Sequence, residues 1–120
     1  MGQAERILTR WFEAFDRDDM DAARRLWAAN GVLHATNPPE IAGDVRGFDE
    51  FLTWYARKRA STGTDFRFTV HALVGDDVHA VALIHAEADR GLETVRLKQV
   101  CIYHVQDGRI TEMWVHEEPE

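Results

Sequence analysis

An α+β fold, three helices followed by a curved antiparallel sheet with the helices against one face, is what this sequence predicts. Three observations carry the prediction. Apolar residues recur at helical spacing through the first half, they alternate with period two after "STGT", and short turn strings separate the alternating runs. The 120 residues are enough for one domain, 1–120, with one core.

The first helix is expected from Gln3 to about Arg17, with Ile7, Leu8, Trp11, Phe12 and Phe15 on one face. "DRDDMD" interrupts it, and Asp18 or Asp19 is a fitting N-cap for a second helix through Ala29 that buries Met20, Ala23, Leu26 and Trp27. "NG" at 30–31 supplies a stop in the left-handed region, and a short strand "VLHAT" follows. "NPPEIAGDVRG" reads as irregular because prolines and glycines punctuate it. A third helix is expected from about Phe48 to Ala60, burying Phe51, Leu52, Trp54 and Tyr55. "DFRFTVHALV", "VHAVALIHAEAD", "ETVRLKQVCIYHV" and "RITEMWVHE" then read as strands joined by "GDD", "RGL" and "QDG" turns.

Composition narrows the function classes. A net charge of −7 with no basic stripe argues against nucleic acid and anionic membranes as partners. No apolar run reaches the roughly 18 residues a membrane span needs, and "MGQAERILTRWF" reads as an amphipathic helix, not a signal peptide. Arg6 spoils a myristoylation pattern after Met1-Gly2. Cys101 is the only cysteine, so no internal disulfide forms and a cytoplasmic location is expected.

The strings "FEAFDRDDMDAARRLWAANGVLHA", "IAGDVRGFDEFLTWY", "FTVHALVGDDVHAVAL" and "QDGRITEMW" carry a family likeness over almost the whole chain. The sequence resembles the nuclear transport factor 2-like superfamily, and within it the SnoaL-like polyketide cyclase and ketosteroid isomerase branch. The resemblance implies a cone, in which the helices and the concave side of a bent sheet enclose a pocket, and a homodimer through the sheet's outer face. The isomerases use an aspartate base, a tyrosine and a protonated aspartic acid. Alignment puts Ala35, Trp11 and Cys101 at those positions, so isomerisation by that trio is not expected.

The same alignment points Gln99, Cys101 and Tyr103 into the cone, in a row with Leu97 and Val105, and leaves Lys98, Val100, Ile102 and His104 outside. It makes Trp11, Phe15 and Trp54 the pocket body and places Met113 and Val115 inward, with Glu112, Trp114 and His116 outward. Val81, Leu83, His85 and Glu87 share one face of their strand. Alternation allows either direction for that face, and the resemblance turns it inward, which would make His85 and Glu87 a general-base unit. His34, before a proline-containing loop, is expected to reach the pocket as acid or base, and Tyr103 is the third group able to move a proton. Cys101 has no adjacent cation in sequence and is not expected to act as a nucleophile. His71, His79, His104 and His116 match no metal motif, and "VHEEPE" is not the HExxH pattern, so no metal or cofactor is expected. The implied function is cofactor-independent acid–base cyclisation, isomerisation or dehydration of a small apolar or polyketide-like molecule. Two alternatives stand beside it: non-catalytic binding of a hydrophobic ligand or a protein partner, and epoxide hydrolysis, for which Glu87 but no inward Asp/Arg/Asp cluster is found.

Overall fold

A computed structural model describes residues 2–120. Helix α1 (Gln3–Asp16) leads to α2 (Met20–Arg25) and strand β1 (Trp27–Ala35). A short 3-10 turn (Pro39–Ile41), β2 (Gly43–Arg46) and α3 (Phe48–Thr62) precede β3 (Thr64–Gly75), β4 (His79–Arg90), β5 (Glu93–Gln106) and β6 (Arg109–Pro119). The sheet order is β2-β1-β6-β5-β4-β3, antiparallel except where β1 runs parallel to β6. It is curved and does not close, and the helices cover its concave side.

The four long strands fall where alternation placed them, and the Asp107-Gly108 turn between β5 and β6 has both residues at positive φ (54° and 76°), the geometry a two-residue hairpin requires. Interruptions of register in β3 between Thr64 and Arg67 and between Val70 and Ala72 bend the sheet's far edge around the helices. "NPPEIAGDVRG" is more ordered than expected, since it holds the 3-10 turn and β2.

The second helix is shorter than its spacing promised. Asp19 caps it, accepting from the Ala22 N–H at 3.1 Å, but the helix ends at Arg25 and the chain extends from Trp27. Tertiary packing overrides helix propensity here: the Trp27 ring stacks on Trp11 at 5.5 Å and on Phe51 at 5.0 Å, and only an extended backbone delivers it there. Gly31 is not a helix stop but part of β1. A Cβ at that position would collide with the Trp27 indole, so glycine is what lets the ring lie against the strand.

On the concave side, β5 presents Cys101, Tyr103 and Val105 and β6 presents Ile110, Met113 and Val115, all buried. The inward row of β4 is Ala80, Ala82, Ile84, Ala86 and Ala88. Small side chains there leave room for α1 and α3 to pack against the sheet. Outside, Leu83 (40% exposed), Val100 (38%) and Ile102 (40%) form an apolar strip beside Trp114.

Candidate active site

Aromatic side chains from two helices close over the concave sheet. Trp11, Phe12 and Phe15 come from α1, Phe51, Trp54 and Tyr55 from α3, and Phe66 and Phe68 from β3. With Ile84, Gln99, Cys101, Tyr103, Met113 and Val115 from the sheet, they surround a cavity of about 50 Å³. A cleft of about 550 Å³ between α1, α3 and β3 shares Phe15, Tyr55, Phe66 and Phe68 with it, so those four rings stand between cavity and solvent. Trp54 is fixed by its indole N–H, which donates to the Ile41 carbonyl at 2.9 Å.

Among the described residues Lys58 is the only basic one on the cavity wall, and it is 2% exposed. Its Nζ donates to Thr62 Oγ1 at 2.8 Å and to Glu117 Oε2 at 3.0 Å, and lies 2.5 Å from Glu117 Oε1. Oε1 is buried and carries no hydrogen bond, so its contact with the ammonium is electrostatic and off the hydrogen-bonding line. Asn37 grips the Glu117 backbone from both sides, donating to its carbonyl at 2.6 Å and accepting from its N–H at 2.9 Å. Burying two charges costs several kcal/mol each before their attraction compensates. Lys58, the member of the pair that lines the largely apolar cavity, makes the pair a candidate centre for proton transfer.

Of the residues expected in the pocket, Trp11, Phe15, Trp54, Gln99, Cys101, Tyr103, Met113 and Val115 all line the cavity. Burial pushes the Cys101 thiol and the Tyr55 phenol each up to about 12 and holds Tyr103 well above the ordinary phenol value, with the neighbouring thiol adding to the effect. At neutral pH these groups are neutral, and the phenols can donate hydrogen bonds but cannot accept a substrate proton.

The remaining candidates are elsewhere. Leu83, His85 and Glu87 face the outer side of the sheet, because β4 turns its alanine row to the helices instead. His85 and Glu87 also form no unit with each other. His85 Nδ1 pairs with Glu120 at 2.9 Å, while Glu87 pairs with Arg67 at 3.2 Å and Arg96 at 3.4 Å. His34 lies outside as well. Its strand does not twist it inward, since the buried neighbours Leu33 and Ala35 take the concave side. The ring stacks on Trp114 and bridges Asp44 at 2.8 Å and Glu112 at 2.9 Å. The Asp44 hydrogen bond, then that of Glu112, raises its pKa above the ordinary imidazole value of 6.5. Among the described residues, no group of three or more His, Cys, Asp or Glu is arranged to hold a metal ion, and no helix is long and apolar enough to cross a membrane.

The cavity's Lys58 and its partner Glu117 were both missed by the sequence reading, although each carried a signal. Glu117 continues the Met113 and Val115 alternation, and Lys58 sits four residues after Trp54 and seven after Phe51, on the buried face of α3.

Comparison with known proteins supplies the family. A model described as a SnoaL-like domain matches residues 8–113. No curated protein matches the chain in sequence. Among solved structures the chain is similar to Bal32a, from a soil-derived mobile gene cassette (22% identity, 96% of this chain and 88% of that one, TM-score 0.82). It is also similar to IdmH of Streptomyces antibioticus, a candidate polyketide cyclase (22%, 93% and 89%, TM-score 0.75). An LEH-like epoxide hydrolase of M. tuberculosis matches at 18% identity over 97% and 83%, with a TM-score of 0.70. These likenesses show a shared fold.

Proposed function

The chain belongs to the SnoaL-like domain family of the nuclear transport factor 2-like superfamily, and from that premise we propose that it is a small-molecule enzyme of acid–base type. Its reaction is cofactor-independent isomerisation, cyclisation or dehydration of a largely apolar, polyketide-like substrate. The observation that carries this reading is the Lys58–Glu117 pair, its side chains 3% and 11% exposed, whose lysine lies on the wall of a largely apolar cavity. Glu117 is the base, its carboxylate held against the Lys58 ammonium, and it takes a proton from carbon beside a carbonyl. The Lys58 ammonium, the Tyr103 hydroxyl and the Gln99 amide are donors for the negative charge that develops on oxygen. An apolar cavity able to hold benzene measures about 150 Å³. At about 50 Å³ this one takes only the reacting end of a substrate, and Phe15, Tyr55, Phe66 and Phe68 must move to admit more.

We test the reading by following exchange of the α-protons of small ketones in D2O by NMR. Catalysed exchange is expected, with a loss of about 10²–10⁴-fold in Glu117→Gln. Wild-type protein that binds such ketones without exchanging their protons supports the ligand-binding alternative, which the alanine at position 35 favours. Epoxide hydrolysis ranks below both, since among the described residues no aspartate or arginine lines the cavity. We also propose a homodimer, because the strip of Val81, Leu83, Val100, Ile102 and Trp114 is the kind of surface a second copy covers.

A further inference from the structure

Arginine supplies nearly all of the positive charge in this chain. It has two lysines, Lys58 and Lys98, against twelve arginines, and Lys58 stands directly between Arg57 and Arg59. Lys98 is exposed on the sheet's outer face, whereas Lys58 is the buried one. For a buried ion pair that only ties a helix to a strand, arginine has the better chemistry: a planar, weakly hydrated fork that matches a carboxylate. What lysine offers and arginine cannot is an amine that becomes a nucleophile when it gives up a proton.

We propose that Lys58 is a covalent catalyst, forming an iminium with an aldehyde or ketone whose carbonyl enters the aromatic cavity. The inference rests on the reading of that cavity as a catalytic site. Its geometry is that of an activated nucleophile: the base is within hydrogen-bond reach and is itself held by a third group. Glu117 is that base, at 2.5 and 3.0 Å from Nζ, and Asn37 holds it through two backbone hydrogen bonds. Thr62 Oγ1 at 2.8 Å fixes the amine from the other side. The aromatic walls limit the substrate to an apolar body on its carbonyl group.

The step balances without any further reagent. Lys58 passes a proton to Glu117, the amine lone pair bonds to the carbonyl carbon, and the C=O π pair moves to oxygen, which takes the proton from Glu117. The adduct nitrogen then gives Glu117 a second proton, the carboxyl delivers it to the hydroxyl, the C–O bond breaks and water leaves. In sum, an ammonium and a carbonyl become an iminium and water, and Glu117 ends as the carboxylate it began as. That carboxylate, 3.0 Å from Nζ, removes an α-proton to give an enamine, and water reverses the sequence to release product.

The test is reductive trapping of the full chain with cyclohexanone and phenylacetaldehyde in the presence of cyanoborohydride, followed by peptide mapping. One adduct per chain, at Lys58, is expected, with exposed Lys98 as the internal reference for ordinary amine reactivity. Lys58→Arg keeps the charge, and is expected to lose both the adduct and cyclohexanone α-proton exchange. A wild-type protein labelled only at Lys98 or the N-terminus overturns the proposal without any variant having to fold. Exchange that persists in Lys58→Arg, with no Lys58 adduct in wild type, removes the iminium and leaves acid–base catalysis by Glu117 intact. Neither exchange nor a Lys58 adduct in wild type removes both.

Discussion

Replacing Lys58 by methionine removes the charge and keeps most of the volume, so it isolates the electrostatics of the pair. The partners' side chains are 3% and 11% exposed, which leaves solvent little opportunity to screen an abandoned carboxylate. Removing one member of a buried pair costs about 3–5 kcal/mol, a large share of the roughly 5–15 kcal/mol that holds a domain folded. Glu117→Met should cost a similar amount by stranding the ammonium. In the double variant no charge is stranded. Asn37 keeps its bonds, because they go to the residue 117 backbone, and Thr62 still donates to the Lys58 carbonyl at 3.0 Å. The double variant should therefore match wild type or exceed it by up to about 4 kcal/mol. Urea denaturation with an unchanged m-value measures all four proteins, and Lys98→Met, on the exposed face, should stay within about 0.5 kcal/mol. Single variants within about 1 kcal/mol of wild type, or a double variant that costs the sum of the two, would refute the argument. A double variant more stable than wild type would show that the pair is retained at the expense of stability, as a catalytic pair is.

The Cys101 thiol, pushed up to about 12 by burial, should resist iodoacetamide in the native protein at about pH 8.5 and react fully once urea unfolds it; rapid native labelling would contradict its burial. His34 has a folded-state pKa above 6.5, so it binds its proton more tightly folded than unfolded. Its stabilisation is complete below the unfolded value and is lost as pH rises through the folded one. Denaturation midpoints of wild type should thus fall between about pH 6 and about pH 8.5 by more than those of His34→Gln, and equal falls would exclude the linkage. The outer-face dimer predicts a light-scattering mass of twice 13.8 kDa, reduced to one chain by Ile102→Asp; a wild-type mass of one chain at micromolar concentration would sink it.

The parts of the fold that were legible are those where one local signal has one structural solution. Asp107-Gly108 admits a tight hairpin turn, and the β5 row from Leu97 to Val105 can alternate in only two ways, one of which buries Tyr103. The end of α2 was not legible, because Leu26 and Trp27 continue a helical stripe as well as they begin a strand. The choice is made by Trp11 and Phe51, which are distant in sequence. The face of β4 was ambiguous for a related reason. Val81 and Leu83 are more apolar than Ala80 and Ala82, so hydrophobicity alone buries the wrong row. Space decides it: against α1 and α3 every inward position of β4 except Ile84 holds alanine, while Val81 and Leu83 find a place on the outer strip.

The Lys58–Glu117 pair eluded the sequence because charged residues are exposed by default, and neither partner alone gives reason to set that rule aside. Lys58 lies between two arginines near the end of a helix, and Glu117 belongs to an acidic tail. Each becomes exceptional only once both periodicities are followed to their ends. The helical face through Phe51 and Trp54 reaches Lys58, and the strand face through Met113 and Val115 reaches Glu117. Two buried faces that each terminate in a charge, of opposite sign, have one economical solution: the charges meet. The 3.0 Å contact between them is that solution. It moves the expected chemistry from His34 and His85, which the sheet holds outside, to the side of the fold where the aromatic cavity lies.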